Sequence, residues 1–327
     1  MDDLDRQLLL FLQNGVPLRK RPFEGIAARL GLDSADVLLR LSRLKLKKTI
    51  FKITAVLQGG KLGYESALAA MIVPSEQLEK ALFWMKAHPG VTSCSVRRDE
   101  FNLWFALALP AGTIEKQLRA LHQFSGAKKT ILLPALKRFK GARAGEFNVF
   151  PEKKIKAVSL SAAEIALIRK IQEDFPLDDK PFQRWAEEAG MTEAGLLSTL
   201  EAWTRKGYFK KITALLPARA AAVANPVLAV WEVPEERQEE VGRCIAAFTE
   251  VADCVKRPAY PEFPYAIHTL IRAEKPKEAG EILEKISSVV GSWPRRLLWD
   301  VKETKKIRLK YFSEGLQDWQ SASVIPA

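Results

Sequence analysis

The chain is a tandem duplication, and this limits its possible folds more than any other feature of the sequence. Residues 8–57 align with residues 167–216 at a constant offset of 159 without a gap, and 17 of the 50 positions are identical. The identical positions include the outer residues of the heptapeptides PLRKRPF (17–23) and PLDDKPF (176–182) and the whole of the block KITA (52–55 and 211–214). We therefore expect two copies of one supersecondary unit, joined near residues 146–160.

The alignment continues beyond this stretch with small changes of offset. At an offset of 160, the residues Val91, Cys94 and Arg97 align with Val251, Cys254 and Arg257. A four-residue insertion then aligns the segment from Asn102 to Phe105 with the segment from Ala266 to Thr269. The repeat therefore extends through most of each half.

Each copy begins with a pattern typical of three short helices and a strand. In the first copy, apolar residues recur at helical spacing over 3–14, 22–32 and 33–48, which predicts three helices. Residues 49–57 alternate and are rich in β-branched side chains, which predicts a strand. Three helices followed by a strand form a winged helix-turn-helix.

The rest of each copy predicts a ferredoxin-like unit. In the first copy the expected order is strand 66–73, helix 75–88, strand 91–98, strand 101–109, helix 112–124 and strand 129–138, and the second copy repeats it from about 226 to 311. This βαββαβ order gives an antiparallel sheet. We predict an α+β protein with winged helix-turn-helix domains at 1–60 and 160–220 and ferredoxin-like domains at 61–150 and 221–315.

The charge of the chain is concentrated in its first half. The net charge of +12 divides into +11 for residues 1–150 and +1 for residues 151–327, which points to a polyanionic partner. There is no apolar run long enough to span a membrane, and the acidic N-terminus is unlike a secretory signal. Three scattered cysteines exclude a disulfide framework, so a cytoplasmic location is expected.

Nucleic acid is an unlikely polyanion for this chain. The third helix of the first copy carries a basic stripe, but the aligned positions in the second copy are mostly neutral; the stripe is Arg40, Arg43 and Lys47, aligned with Thr199, Ala202 and Lys206. A two-fold operator requires two competent recognition helices. A solvated basic face that steers an anionic ligand is the favoured interpretation.

The heptapeptide loops are stiffened by a proline near each end. The first copy places Arg19, Lys20 and Arg21 between the prolines, and the second copy places Asp178 and Asp179 there. Three interpretations stay open: a structural loop, a contact with an anionic ligand, and charge pairing between the copies.

Arg97 and Arg257 are the best candidates for binding a ligand. Each lies at the end of the same predicted strand, beside Arg98 or Lys256. An arginine can hold a carboxylate through two parallel hydrogen bonds. The alternative is a surface ion pair.

The segment RPAYPEFPY (257–265) contains three prolines and three aromatic residues. Such a stiff loop could place Tyr260, Phe263 or Tyr265 against a flat ligand, or it could simply cover the edge of the sheet. His268 follows on the next strand, and two interpretations stay open: a satisfied core or surface histidine, and a histidine that ligates iron or donates a proton. We expect structural roles for the other histidines and for the aligned cysteines, namely His88, His122, Cys94 and Cys254.

A winged helix followed by a βαββαβ domain resembles the Lrp/AsnC regulators, and four motifs narrow the resemblance. They are the PLxx[RK]PF loops, HPGV at 88–91, RRDEFNLWFAL at 97–107 and RPAYPEFPY at 257–265. Together they resemble the siroheme decarboxylase family in a form that fuses its two subunit types, which serve haem and haem d1 biosynthesis.

The resemblance implies an enzyme that removes two acetate carboxyl groups from siroheme to give 12,18-didecarboxysiroheme. This reaction needs no redox cofactor, no metal site of the protein's own is expected, and the iron arrives with the substrate. The implied catalytic residues are His268, Tyr260 and Tyr265, and the implied substrate-binding residues are Arg97, Arg98, Arg257, Lys256, Asn102 and Trp104.

The sequence departs from the family pattern at three positions. Ser93, Asp99 and Asp253 occupy places where the family usually has histidine. Two alternatives therefore stay open: a degenerate scaffold subunit, and a tetrapyrrole-responsive DNA-binding regulator. The two copies are expected to pair as a pseudo-dimer, and a further oligomer or a homologous subunit is possible.

Overall fold

The protein divides into two compact units, each of which contains matching parts of both copies. The computed structural model describes residues 1–141, 159–216, 227–273 and 275–322. The helical unit comprises Met1–Leu62, Val158–Ala222 and Lys310–Ser313, and the sheet unit comprises Gly63–Ala157, Val223–Leu309 and Glu314–Ala327. The duplication thus pairs helix-turn-helix with helix-turn-helix and sheet with sheet.

The described residues form helices and strands in the order that the repeat predicts. The helices are α1 (Asp3–Asn14), α2 (Pro22–Leu30), α3 (Ser34–Leu46), α4 (Leu78–Ala87), α5 (Ile114–Ser125), α6 (Ala162–Ile171), α7 (Pro181–Glu188), α8 (Glu193–Lys206), α9 (Gln238–Ala247), α10 (Pro276–Val290) and α11 (Glu314–Ala322). The strands are β1 (Lys52–Leu57), β2 (Tyr64–Ile72), β3 (Val91–Arg97), β4 (Leu103–Pro110), β5 (Lys129–Leu133), β6 (Lys137–Lys140), β7 (Phe209–Leu215), β8 (Val227–Trp231), β9 (Val251–Lys256), β10 (Ile267–Ile271), β11 (Arg295–Leu298) and β12 (Asp300–Lys306).

The helices of the helical unit begin and end where local chemistry favours it. The Asp2 side chain caps α1 with a full capping box, and the Asp33 side chain accepts a hydrogen bond from the first turn of α3. Gly31 closes α2 in the left-handed conformation, at a φ of 66°. The first strand begins at Lys52 and not at 49, because Thr49 and Ile50 still donate to a carbonyl of α3.

The strands of the two winged helices pair with each other. β1 and β7 form a two-stranded antiparallel sheet in which Thr54 lies opposite Thr213. The hydroxyl of Thr54 donates to the Gln172 carbonyl at 2.9 Å, and that of Thr213 donates to the Leu12 carbonyl at 2.9 Å. The repeated KITA block is therefore the seam between the two copies.

The sheet unit contains two five-stranded sheets. Their strand orders are β12-β3-β4-β2-β5 and β11-β8-β10-β9-β6. Within each sheet, four strands of one copy follow the ferredoxin-like arrangement, and the fifth, edge strand comes from the other copy. The two copies thus exchange edge strands and form a pseudo-dimer within the chain.

The exchange corrects one prediction from the sequence. The single strand expected at 129–138 is wrong, because Pro134 separates β5, which stays in its own sheet, from β6, which pairs with β9 of the other copy. A proline lacks the amide proton that a continuous ladder needs.

Two kinds of feature are absent from the part of the chain that the structure describes. None of its helices is both long enough and apolar enough to cross a membrane. No group of three or more histidine, cysteine, aspartate or glutamate residues in that part is arranged to hold a metal ion.

Candidate active site between the two sheets

An aromatic cluster lies where the two sheets of the sheet unit face each other. Phe263, which is fully buried, comes from the proline-rich loop; its ring centroid lies 5.6 Å from those of Phe101 and Trp104, 5.0 Å from Tyr265 and 5.9 Å from His268. The structure therefore brings together Trp104, Tyr265 and His268, three of the residues predicted from the sequence. Buried rings of this kind form a surface that suits a flat ligand.

Arg97 and Arg257 flank this cluster in matching positions. The backbone amide of Arg97 donates to the Asn102 carbonyl, and that of Arg257 donates to the Ala266 carbonyl, both at 2.8 Å. Each guanidinium also donates to a carbonyl of the other copy. For Arg97 the acceptor is Leu298, at 3.4 Å, and for Arg257 it is Leu133.

The guanidinium of Arg97 is neutralised within the protein. Its Nε lies 2.9 Å from the Asp300 Oδ1, and its Cζ lies 5.2 Å from the ring centroid of Trp104. Burial lowers the pKa of Arg97, and the Asp300 carboxylate opposes that effect. Arg97 thus already holds a carboxylate.

Arg257 is buried without such a partner. It is only 5% exposed, it forms no ion pair with any described residue, and its Nε has no hydrogen-bond partner. Burial lowers its pKa to about 10, with a smaller opposing effect from Asp253, whose carboxylate is held by Arg138. A buried cation without a carboxylate partner is costly, and an incoming anion would offset that cost.

His268 is held as a neutral imidazole with one free lone pair. It is 3% exposed, and its Nε2 lies 3.0 Å from the Tyr265 carbonyl, which can only accept, so the proton resides on Nε2. Its Nδ1 is buried and has no partner among the described residues. Burial, followed by the charges of Arg257 and Arg97, lowers its pKa well below the ordinary value. Such an imidazole can accept a proton or coordinate a metal ion.

The two predicted tyrosines differ in what their hydroxyls do. The Tyr260 hydroxyl donates to the Leu132 carbonyl at 2.6 Å, so its proton is already committed, and burial raises its pKa. The Tyr265 hydroxyl makes no hydrogen bond with a described residue, and the Arg296 guanidinium lies 5.2 Å from the centre of its ring. Tyr265 is therefore the better proton donor of the two.

Three predicted substrate-binding residues lie outside this arrangement. The Asn102 amide is used by the backbone of Val73, which donates to its Oδ1 at 2.9 Å and accepts from its Nδ2 at 2.8 Å. This pairing gives Asn102 a structural role, and contact of Asn102 with a substrate stays a prediction. Arg98 is exposed and Lys256 is half-buried, and neither side chain contacts the aromatic cluster through any described interaction.

The remaining histidines and cysteines have structural surroundings. The buried His88 accepts a hydrogen bond from the Gly90 amide at 3.0 Å and lies 3.2 Å from the Gln117 side chain, and burial lowers its pKa to about 4. His122 lies 2.8 Å from the Thr130 hydroxyl. Burial raises the pKa of the Cys94 thiol to about 11 and that of Cys254 further, so both stay protonated.

The basic groups of the helical unit are partly neutralised. Arg40, from the basic stripe of α3, donates to the Asp2 and Asp5 carboxylates at 2.7 and 2.8 Å. Arg21 lies 3.5 Å from Asp179 of the other copy, so the charge pairing between the heptapeptides is confirmed. The loops also border a cavity of about 640 Å³, whose lining includes Arg19, Lys20 and Lys180. Contact of these side chains with an anionic ligand stays a prediction.

Comparison with known proteins identifies the domains of both copies and the family of the chain. A family model described as the AsnC-like ligand binding domain matches residues 61–140 and 223–305. A second, described as the siroheme decarboxylase NirDL-like HTH domain, matches residues 5–50 and 164–209. The chain belongs to the siroheme decarboxylase family.

Relatives within the siroheme decarboxylase family match the chain over nearly its whole length. A siroheme decarboxylase of Hydrogenobacter thermophilus (strain DSM 6534 / IAM 12695 / TK-6) is 31% identical over 96% of both chains. A crystal structure of the siroheme decarboxylase NirDL superposes with a TM-score of 0.81 at 30% identity and 98% coverage of both chains. A crystal structure of NirDL with an iron-uroporphyrin III analogue gives a TM-score of 0.80 at 29% identity and the same coverage.

The three departures from the siroheme decarboxylase pattern have defined surroundings. Ser93 is half-buried on β3. The Asp99 carboxylate accepts from Arg296 at 3.2 Å, and the Asp253 carboxylate is paired with Arg138. Two of the three positions thus hold an acid that pairs with an arginine of the other copy.

Sequence reasoning missed the residues that the exchanged edge strands contribute. Asp300 and Arg138 lie on β12 and β6, next to Arg97 and Asp253 of the opposite copy. The residue pattern of an edge strand does not indicate which of the two sheets the strand joins. The one available signal was Pro134, which marks the place where β5 ends.

Proposed function

We propose that this protein is a carboxy-lyase that removes two acetate carboxyl groups from siroheme without oxidation, giving 12,18-didecarboxysiroheme. Membership of the siroheme decarboxylase family supports the substrate. The observation that carries the proposal is Arg257, a buried arginine with no ion-pair partner among the described residues, near the buried aromatic cluster. A flat macrocycle with many carboxylates matches both features.

The proposed reaction balances without a redox cofactor. The bond between the acetate methylene and its carboxylate breaks, and carbon dioxide leaves. The electron pair stays on the methylene carbon, where conjugation with the macrocycle delocalises it. One proton then converts the methylene into a methyl group, so the net change is the loss of carbon dioxide and the gain of a proton. We propose that the protein supplies no metal of its own and that the iron arrives with siroheme.

The chain's own residues have three tasks in this scheme. Arg257 binds a peripheral carboxylate and fixes the orientation of the macrocycle. The aromatic surroundings exclude water, which disfavours the charged carboxylate relative to the transition state, where its charge spreads into the ring system. Tyr265 donates the proton to the methylene carbon, and the Nδ1 lone pair of His268 contacts the substrate.

The proline-rich loop must move for the macrocycle to enter. The Phe263 ring fills the space among Phe101, Trp104, Tyr265 and His268. The tip of the loop is held to the rest of the protein by the hydrogen bond from the Tyr260 hydroxyl to the Leu132 carbonyl and by an ion pair between Glu262 and Lys129. Few bonds therefore need to break to open it.

The test is anaerobic incubation of the purified chain with siroheme, followed by mass analysis of the tetrapyrrole. We expect the stepwise loss of two carbon dioxide units at a rate proportional to enzyme concentration. The matched control is Glu281→Gln, an exposed change on α10 that should not alter the rate.

Two results would contradict the proposal. Unchanged siroheme, tightly bound, would indicate the scaffold subunit. Unchanged siroheme together with salt-dependent binding of the chain to promoter DNA would indicate the regulator. The neutralised Arg40 of α3 counts against that regulator.

A further inference from the structure

We propose that the receptor for the substrate carboxylate lies in the second copy alone, because Asp300 already forms an ion pair with the matching arginine of the first copy. Arg257 is then the receptor, and Arg97 is an internal ion pair. This inference rests on the proposed function, since it assigns the carboxylate of that same substrate to one of two matching positions.

The two arginines are related by the pseudo-symmetry of the sheet unit down to single atoms. Arg97 donates to the carbonyl of Leu298, and Arg257 donates to that of Leu133. Two residues beyond these carbonyls stand Asp300 and Ala135, respectively. The chain thus has a carboxylate beside one arginine and a methyl group beside the other.

An ion pair distinguishes the two arginines. The Nε of Arg97 lies 2.9 Å from the Asp300 Oδ1, whereas Arg257 pairs with no carboxylate among the described residues and donates to the Leu133 carbonyl. Ala135, at the position that matches Asp300, is 1% exposed and carries no charge. Asp300 therefore indicates where a substrate carboxylate would contact Arg257, and it occupies that place in the first copy.

The charges around each arginine agree with this assignment. Near Arg97, two cations face two anions, because Asp300 pairs with Arg97 and Asp99 pairs with Arg296. The set is neutral.

Near Arg257, the Asp253 carboxylate is already held by Arg138, so it does not pair with Arg257. The Arg257 guanidinium is thus buried without an ion-pair partner among the described residues. An incoming carboxylate would neutralise the Arg257 guanidinium. The guanidinium is already shielded from water, so its own desolvation adds little further cost to binding.

The experiment installs the missing carboxylate. Ala135→Asp places an acid beside Arg257, and Ala135→Asn is the control of equal size without the charge. Each variant is titrated anaerobically with siroheme, with absorbance as the readout, and assayed for decarboxylation. We expect Ala135→Asp to bind roughly 10- to 100-fold more weakly than Ala135→Asn, the range of a charge-assisted hydrogen-bond pair.

Further variants test the assignment in case Ala135→Asp does not fold. Arg257→Gln should weaken siroheme binding by a similar factor, roughly 10- to 100-fold, and more than Arg97→Gln does. Asp300→Asn should not weaken binding. Unfolding midpoints of all variants establish that the binding losses come from folded protein.

The outcomes separate this inference from the proposed function. If the wild type decarboxylates siroheme but Arg97→Gln weakens binding more than Arg257→Gln, or a folded Ala135→Asp binds like Ala135→Asn, the assignment to the second copy is wrong and the function stands. If the wild type binds siroheme without releasing carbon dioxide, and Ala135→Asp still weakens binding, the function fails and the assignment stands.

Discussion

The seams between the two copies differ in the two units. In the helical unit the contacts are reciprocal: the Val16 amide donates to the Ile212 carbonyl at 2.8 Å, and the Phe175 amide donates to the Ile53 carbonyl at 2.7 Å. In the sheet unit the aligned residues differ in chemistry, since Trp104 aligns with His268. The duplicated chain has kept its symmetry where the copies only hold each other, and has lost it around the aromatic cluster.

The largest expected effect tests the asymmetric pair, Trp104 and His268. His268→Gln removes the Nδ1 lone pair, which has no partner among the described residues, and should lower the rate of siroheme decarboxylation by roughly 10- to 100-fold, the range for the loss of one buried polar contact with the substrate. Trp104→Phe keeps an aromatic ring and should lower the rate by less than about tenfold. Single-turnover kinetics at saturating siroheme measure both. Equal losses in the two variants would mean that the copies contribute alike.

The next effect concerns a second asymmetric position, His88 in the first copy and Phe248 in the second. The pKa of His88 in the folded protein is about 4, so on acidification the unfolded chain binds a proton before the folded one does. Stability is therefore lost as the pH falls from about 6.5 towards 4, and between pH 7 and pH 5 this histidine should cost about 2 kcal/mol. His268, whose pKa is also lowered, adds a loss of the same sign.

The measurement is urea unfolding at pH 7 and at pH 5. His88→Phe introduces the residue of the second copy and should reduce the difference in unfolding free energy between the two pH values by about 2 kcal/mol. Glu281→Gln should keep the full difference. A variant His88→Phe that loses as much stability as the wild type on acidification would show that this histidine is not held neutral.

The smallest effect tests the symmetric seam. Thr54→Val and Thr213→Val each remove one hydroxyl that donates across the helical unit, and each should destabilise it by about 1 kcal/mol. The sharper expectation is that the two losses agree to within about 0.5 kcal/mol, because each hydroxyl lies near the same two aligned carbonyls: those of Ile171 and Gln172 for Thr54, and those of Leu12 and Gln13 for Thr213. Losses of unfolding free energy that differ by more than this amount would show that the two contacts are equivalent in geometry but not in energy.

The sequence predicts the fold well where local patterns determine it. Apolar spacing predicts the three helices over 3–14, 22–32 and 33–48, and the offset of 159 predicts two similar copies. The exchange of β6 and β12 is not predictable in this way, because which sheet an edge strand joins depends on packing between copies and not on local preference. Pro134 marks the break but not the destination.

The candidate site was predicted in part, for the same reason. Arg97 and Arg257 share a frame in the repeat, which identified both as candidates. Their difference depends on Asp300, which lies 203 residues after Arg97 in the sequence. Asn102 was assigned to the substrate because its motif is distinctive, whereas its amide serves the backbone of Val73.

The exchanged edge strands make the two halves mutually dependent. Without β12, the outer side of β3 would expose unpaired amides and carbonyls, and without β6 the same would happen to β9. Cutting the polypeptide between its halves would therefore not give two independent domains, since each fragment would contain the edge strand that completes the sheet of the other. A mutation that weakens the pairing of one exchanged edge strand should thus destabilise both sheets, and the sheet unit should unfold in one cooperative step.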